Sequence, residues 1–253
     1  MRIQAAFIVI VLPVIALAGT LDETRHLELS AAGIQTLKIQ CGSGFLTVIG
    51  VKGIDRIKAI AQIEVRGIQE KEFQEYVEKQ LLLSLEKRGR DAVLQADIKK
   101  SFWEKTEVKI NLTVKLPRTL AVKIDDGSGA ILVTNLAGGL QLDDDSGSID
   151  LVNMEDKIKI ADGSGRIDIE DVRGNVEVQD GSGPIKINLI KGNVSITDGS
   201  GSITVQDIDG NVTVTDGSGS IEIQEVTQNV FIKAAGSGTV DIEGVKGKVT
   251  TRD

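Results

Sequence analysis

The sequence predicts an all-β protein, a two-sheet parallel β-solenoid of 18-residue coils behind an N-terminal β-rich region with one helix. Three observations carry this. A Ser-Gly pair recurs at Ser128, Ser146, Ser164, Ser182, Ser200, Ser218 and Ser237, at intervals of 18, 18, 18, 18, 18 and 19 residues. Positions 3, 5, 8, 12 and 14 after each serine are apolar at 34 of 35 places, Thr251 being the exception. Between them sit polar residues such as Asp168, Lys186, Thr204 and Glu222, the period-two alternation of strands with one buried face.

Each coil divides into two nine-residue halves: Asp207–Thr215 aligns with Asp216–Gln224, each a glycine turn followed by a short strand. A three-sided helix of period six does not fit, because six-residue steps from Ile203 land on Asp209 and Thr215. Coils stacked at ~4.8 Å make the array ~34 Å long. Stacking also predicts ladders of like residues. Asp126, Asp144, Asp162, Asp180, Asp198 and Asp216 form one column, and Asn175, Asn193, Asn211 and Asn229 another in the opposite turn.

Carboxylates ~4.8 Å apart repel by roughly 1 kcal/mol in water and ~3.5 kcal/mol at an effective dielectric of 20. The Asp column therefore needs solvent, backbone N–H donors or a cation. Asx-turns that bond the amide two residues on, ahead of glycines at positive φ, are the favoured reading. Weak cation binding at Asp144, Asp162, Asp180, Asp198 and Asp216, with Ca²⁺ as the ion, is the alternative. An all-coil calcium roll is disfavoured, since Asp precedes the glycines and Ile or Val follows Gly-x.

From the start of the chain, Met1-Arg2, an apolar run Ala5–Ala18 and Ala16-Leu17-Ala18 read as a secretory signal peptide over 1–18, cleaved after Ala18. Fourteen residues are too few for a membrane span of ~20, so the expected location is secreted, periplasmic or envelope-associated. The β-rich region takes 19–117 and the array 118–253. Cys41, the only cysteine, excludes an intramolecular disulfide and occupies the Asp slot of a degenerate coil, Cys41–Val51. A strand over Arg56–Val65 precedes a helix over 69–80, whose Phe73, Tyr76, Val77 and Leu81 share one face. The helix is expected to cover an open face or end of the solenoid. Strands over Leu81–Leu85, Ala92–Ile98 and Val108–Leu116 follow, and Pro117-Arg118 turns into Leu120–Asp125.

Gly42-Ser-Gly-Phe-Leu-Thr-Val48, a long insert, Val114-Lys-Leu-Pro117 and the Gly-x-Ile repeats resemble the bacterial putative-adhesin family of β-strand-repeat envelope proteins. The resemblance implies the solenoid fold and, by analogy, surface binding. It supplies no catalytic residues.

Function classes narrow by composition. Net charge −8 without a basic stripe argues against nucleic acid. One histidine, His26, and one cysteine leave neither a Ser-His-Asp triad nor a zinc ligand set. Repeated Gly-Ser-Gly lacks the lysine of a phosphate loop. A carbohydrate-active β-helix enzyme is the catalytic alternative, but Phe231 is the array's only aromatic residue, and Asp143-Asp144-Asp145 reads as a turn. Phe102 and Trp103 are a candidate contact site or a plug on the hydrophobic stack. The expectation is a non-catalytic extracytoplasmic binding or scaffold protein, adhesin-like, without cofactor. Its partner would be an envelope polymer or protein; it would be monomeric, with weak end-to-end pairing through Lys248–Thr251.

Overall fold

The computed structural model describes residues 15–17, 20–99 and 106–252. The N-terminal part runs β1 (Ile15–Leu17), β2 (Thr20–Ser30), β3 (Thr36–Ser43), β4 (Leu46–Val51), β5 (Arg56–Arg66), helix α1 (Glu70–Gln80), β6 (Leu81–Arg88), β7 (Asp91–Ile98) and β8 (Glu107–Pro117). A long strand, β9 (Ala121–Thr134), enters the array. There follow β10 (Leu140–Asp144), β11 (Gly147–Met154), β12 (Ile158–Asp162), β13 (Ile167–Val172), β14 (Val176–Asp180), β15 (Ile185–Ile190) and β16 (Val194–Asp198). The last are β17 (Ile203–Ile208), β18 (Val212–Asp216), β19 (Ile221–Val226), β20 (Val230–Ala234), β21 (Val240–Val245) and β22 (Val249–Thr251).

Two sheets result. Sheet A is ordered β1-β2-β5-β8-β4-β9 and then the odd-numbered strands to β21. Sheet B is ordered β6-β7-β3-β9 and then the even-numbered strands to β22. β9 belongs to both, bending from one sheet to the other around Asp126–Gly129. The array pairings are parallel, residue i against i+18 as in Ile185↔Ile203 and Val194↔Val212, until the last coil, which pairs i against i+19 as in Ile221↔Val240 and Val230↔Val249. The 19-residue interval is absorbed by a shift after Val214↔Ile232, where Thr215 pairs with Ala234. This is the two-sheet solenoid the repeat predicts.

The inward phases bury as the alternation requires. Ile131, Val133, Leu136, Leu140 and Leu142 begin five apolar columns that stay buried through Val226, Val230 and Ile232. In the last coil the same phases reappear at Val240 and Val249, now about 40% exposed (38% and 42%). A single hydrophobic core runs from Leu21 to Ile232 across both parts of the chain.

The insertion does more than cover an end. Leu46 lies over Ile131 and Val48 over Val133, so β3–β4 is the degenerate coil anticipated at Cys41–Val51, although Val51 is only half-buried. On its other side β7 stacks on β3 and β8 on β4, forming a further coil-like layer. The β3–β4 coil is thus sandwiched between a layer made later in the chain and the array proper. Beyond that layer β2, β5 and β6 run antiparallel to their neighbours. Such reversal ends the parallel stack.

Helix α1 links β5 to β6 and buries Phe73 and Val77 in the common core, with Tyr76 packed beside them. Glu70 and Glu72 in its first turn and Lys79 in its last suit the helix dipole, and the Gln69 N–H donates to Glu72 Oε2 at 3.3 Å. Leu81, on the expected helical face, begins β6 instead.

The nine-residue quasi-repeat does not survive as structural equivalence. Asp216 ends strand β18 with its side chain buried, whereas its counterpart Asp207 is exposed in the left-handed region at φ 55°. Asn135, Asn153, Asp171, Leu189 and Glu225 share that conformation, at φ 53–61°, and Gly244 follows at 67°. A left-handed L-residue costs roughly 1–2 kcal/mol, least for Asn and Asp. Leu189, 47% exposed, has little packing to offset this. Leu189→Asn is expected to stabilise the protein by roughly 0.5–1 kcal/mol, raising Tm by about 1–4 °C in a thermal melt.

Candidate functional site

The corner between each even strand and the next odd one is built from Asp-Gly-Ser-Gly. Its Asp is the inward position that follows two buried apolar residues, as in Val194-Ser-Ile-Thr-Asp198. Pointing inward, Asp126, Asp144, Asp162, Asp180, Asp198 and Asp216 are all buried, 2–7% exposed. The turn satisfies one oxygen of most of them. The N–H groups of Ser164, Ser182, Ser200 and Ser218 donate to Oδ1 of Asp162, Asp180, Asp198 and Asp216 at 3.1–3.2 Å. These are the Asx-turns expected from the sequence. The other oxygen, Oδ2, has no hydrogen-bond partner in any of the six. At Asp144, where Asp145 replaces the first turn glycine, neither oxygen makes a full hydrogen bond, and the Ser146 N–H exerts only a lowering pull on the carboxyl.

Burial raises every one of these carboxyls above the usual aspartate range. Asp126 is raised to about 6, by burial first and then by Asp125 and Asp145. Asp144 rises to about 7 through burial and the charges of Asp126 and Asp162. Asp180 reaches about 6 through burial, Asp162 and Asp198. Asp162, Asp198 and Asp216 are raised by burial against the lowering pull of their turn N–H groups. At the head of the column Cys41 pairs in register with Asp126 and hydrogen-bonds it. Burial and that neighbouring carboxylate push its thiol upward, which keeps it protonated and unreactive.

The opposite turn carries the expected amide ladder. Asn175 Oδ1 accepts from the Asn193 N–H at 2.9 Å, Asn193 Oδ1 from Asn211 at 2.9 Å, and Asn211 Oδ1 from Asn229 at 3.2 Å. The Lys248 N–H completes the series on Asn229 Oδ1 at 2.9 Å. Each amide therefore ties one coil to the next without charge.

Outward residues define the surfaces open to a partner. On sheet B three adjoining depressions of about 700, 600 and 390 Å³ lie along the coils. Lys123 and Gln141 line two of them, as do Asp125 and Asp143. Long side chains at Lys38, Lys123 and Lys159 stand beside short ones at Gly139, Ala161, Ser195 and Thr197. Lys159 pairs with Glu177 at 2.8 Å and Lys38 with Asp91 at 2.6 Å. Sheet A presents a more acidic face, with Asp150, Asp168, Glu170, Glu222 and Asp241, where Arg166 bridges Asp150 and Asp168.

Of the residues singled out by sequence, Asp144 to Asp216 are brought into one column. Asp143, Asp144 and Asp145 all line the depression of about 700 Å³, but Asp143 and Asp145 are exposed while Asp144 is buried. Among the described residues no group of three or more His, Cys, Asp or Glu side chains is arranged to hold a metal ion. Phe102 and Trp103 lie outside the described residues, as do 1–14 and Ala18 of the expected signal peptide. The sheet B grooves were not foreseen, since they depend on how unlike residues neighbour one another across coils. Among the described residues no helix is long and apolar enough to cross a membrane.

A family match over residues 55–243 spans this architecture from β5 into β21. The chain belongs to the Toastrack DUF4097 family. Part of the Toastrack stack in this chain, β3–β4, thus comes from residues before the matched segment. Two solved structures are similar in outline. One is a putative cell adhesion protein from Clostridium sporogenes, 12% identical, with 91% of this chain and 98% of that chain covered and a TM-score of 0.31. The other is a putative adhesin from Bacteroides fragilis, 13% identical, with 90% and 97% covered and a TM-score of 0.48. No curated protein matches the sequence.

Proposed function

We propose that this Toastrack protein is a non-catalytic binding or scaffold protein of the bacterial cell envelope. In this reading it engages an extended, hydrogen-bonding envelope polymer along the outer face of sheet B. The observation that carries the reading is the run of three adjoining grooves on one regular face, two of them lined by Lys38, Lys123, Gln141, Lys159 and Ser195 and the largest by Asp125, Asp143, Asp145, Gln179 and Thr197. Eleven strands at ~4.8 Å make this face ~48 Å long, enough for many weak contacts with a polymer lying across the coils. Amine and amide donors beside carboxylate acceptors suit a polar chain; the shortage of aromatic platforms favours surface contact over a closed sugar subsite. Export through the 1–18 signal segment would place the protein with such a partner.

Binding of the mature protein, beginning at Gly19, to purified envelope polysaccharides and peptidoglycan fragments tests the proposal by calorimetry. Lys123→Ala with Lys159→Ala is expected to weaken binding roughly tenfold. Thr204→Ala with Glu222→Ala, on sheet A, should leave it unchanged. Loss through the sheet A pair alone would move the interface, and turnover of any glycan would replace the binding reading with the enzymatic one.

A further inference from the structure

The unpartnered oxygens of the Asp column call for an occupant. Six carboxyls repeat at the coil spacing of ~4.8 Å, nine-tenths or more buried, each with an Oδ2 bonded to nothing. Six full charges in that setting would repel strongly and go unsolvated. Oδ1 is already spent on the serine N–H in four of them. The groups acting on the column offer no compensating charge. Cys41 stands at its head, and Asp97 approaches Gly42 beside it. Asp125, Asp143 and Asp145 flank it on the outer side, and only Ala235 occupies its slot at the foot. The inward positions of sheet A, beginning at Ile131, are apolar and carry no charge. The Asn ladder shows how the opposite turn avoids the same problem with a neutral side chain.

We propose that the column is a proton-binding ladder: through the neutral range its six carboxyls carry fewer than six charges, and the solenoid is firmer when they are protonated. Because neighbours interact, the protons leave in coupled steps spread along the column rather than at one residue. The direction follows from the raised native affinity for protons. Stability from this source is complete below the unfolded aspartate pKa of ~3.9 and is lost as pH rises through about 6 to 7. Surface pairs act oppositely and only in stronger acid. Glu28 is lowered by its bond to Lys58, and Glu75 by its bond to Lys79. Greatest stability therefore falls in mild acid, below neutrality.

Thermal melts of the mature protein in EDTA between pH 5.5 and 8 test this. The wild type is expected to lose at least about 5 °C in Tm on going to pH 8. Asp162→Asn with Asp180→Asn keeps the Oδ1 acceptor while removing two charges. That variant should melt above the wild type at pH 8 and show a flatter pH profile. Carboxyl ¹³C titration of the wild type reads the same protons without any substitution, as aspartate midpoints above 5.5. A wild-type Tm that stays level or rises toward pH 8 would overturn the ladder, as would ordinary aspartate midpoints. So would restoration of the acid Tm at pH 8 by millimolar Ca²⁺, which would give the column to a cation.

Discussion

Ile203→Asp is expected to unfold the solenoid around the coil that carries it. Ile203 is fully buried in sheet A, stacked between Ile185 and Ile221. Removing its side chain forfeits roughly 1.5–3 kcal/mol of burial, and an unpaired carboxylate there adds several more. The combined loss rivals the ~5–15 kcal/mol that holds a domain together. The buried Asp column is no counterexample. Its carboxyls sit at a corner where a serine N–H turns inward, whereas the N–H of Ile203 is already bonded to Ser220 of the next coil. Thr204→Ala, one residue away on the outer face, should change stability by no more than about 0.5 kcal/mol. Circular dichroism and urea unfolding of the two variants provide the check. Equal loss from both would mean that the inward phases are misassigned.

Gly183→Ala is expected to be nearly as damaging, for a different reason. Gly183 is the second glycine of the turn, at φ 139°, and an added Cβ would lie 1.7 Å from the carbonyl oxygen of Gly165 in the preceding coil. The obstacle is backbone, so relief requires the coils to separate and their ladder bonds to stretch. A loss of about 3–5 kcal/mol is expected. Gly89→Ala is the matching control. Gly89 also has positive φ, at 68°, but nothing lies within 4 Å of the new Cβ. It should cost only the backbone term of roughly 1–2 kcal/mol. Urea midpoints of the two variants separate stacking from conformational strain.

Acid-favoured stability and the grooved face of sheet B meet at one edge. Asp125 and Asp143 line the grooves and flank the buried column. A cationic partner seated there would favour ionised carboxyls, and an anionic one protonated carboxyls, so binding on that face and proton uptake are thermodynamically linked. The sign of that linkage reports the charge of the partner.

The repeat alone determined the array. Residues 18 apart must pair when a chain coils at that period, so the register of Ile185 on Ile203, the five inward columns, the Asn ladder and the Asx-turns were all legible locally. The helix was equally plain from Phe73 and Val77, because its period needs no knowledge of partners. Cys41 could be placed opposite Asp126 because Gly-Ser-Gly marks the same turn in both. Tertiary structure alone decided which layer lies next to β3–β4, since the contacts of β7 and β8 join residues far apart that share no repeat. It also decided that the two nine-residue halves turn differently, with Asp207 left-handed and exposed and Asp216 extended and buried. Residue type could not announce that burial. An aspartate reads as a solvated turn residue until the corner geometry directs its side chain inward, where the next coil covers it and leaves one oxygen without a donor.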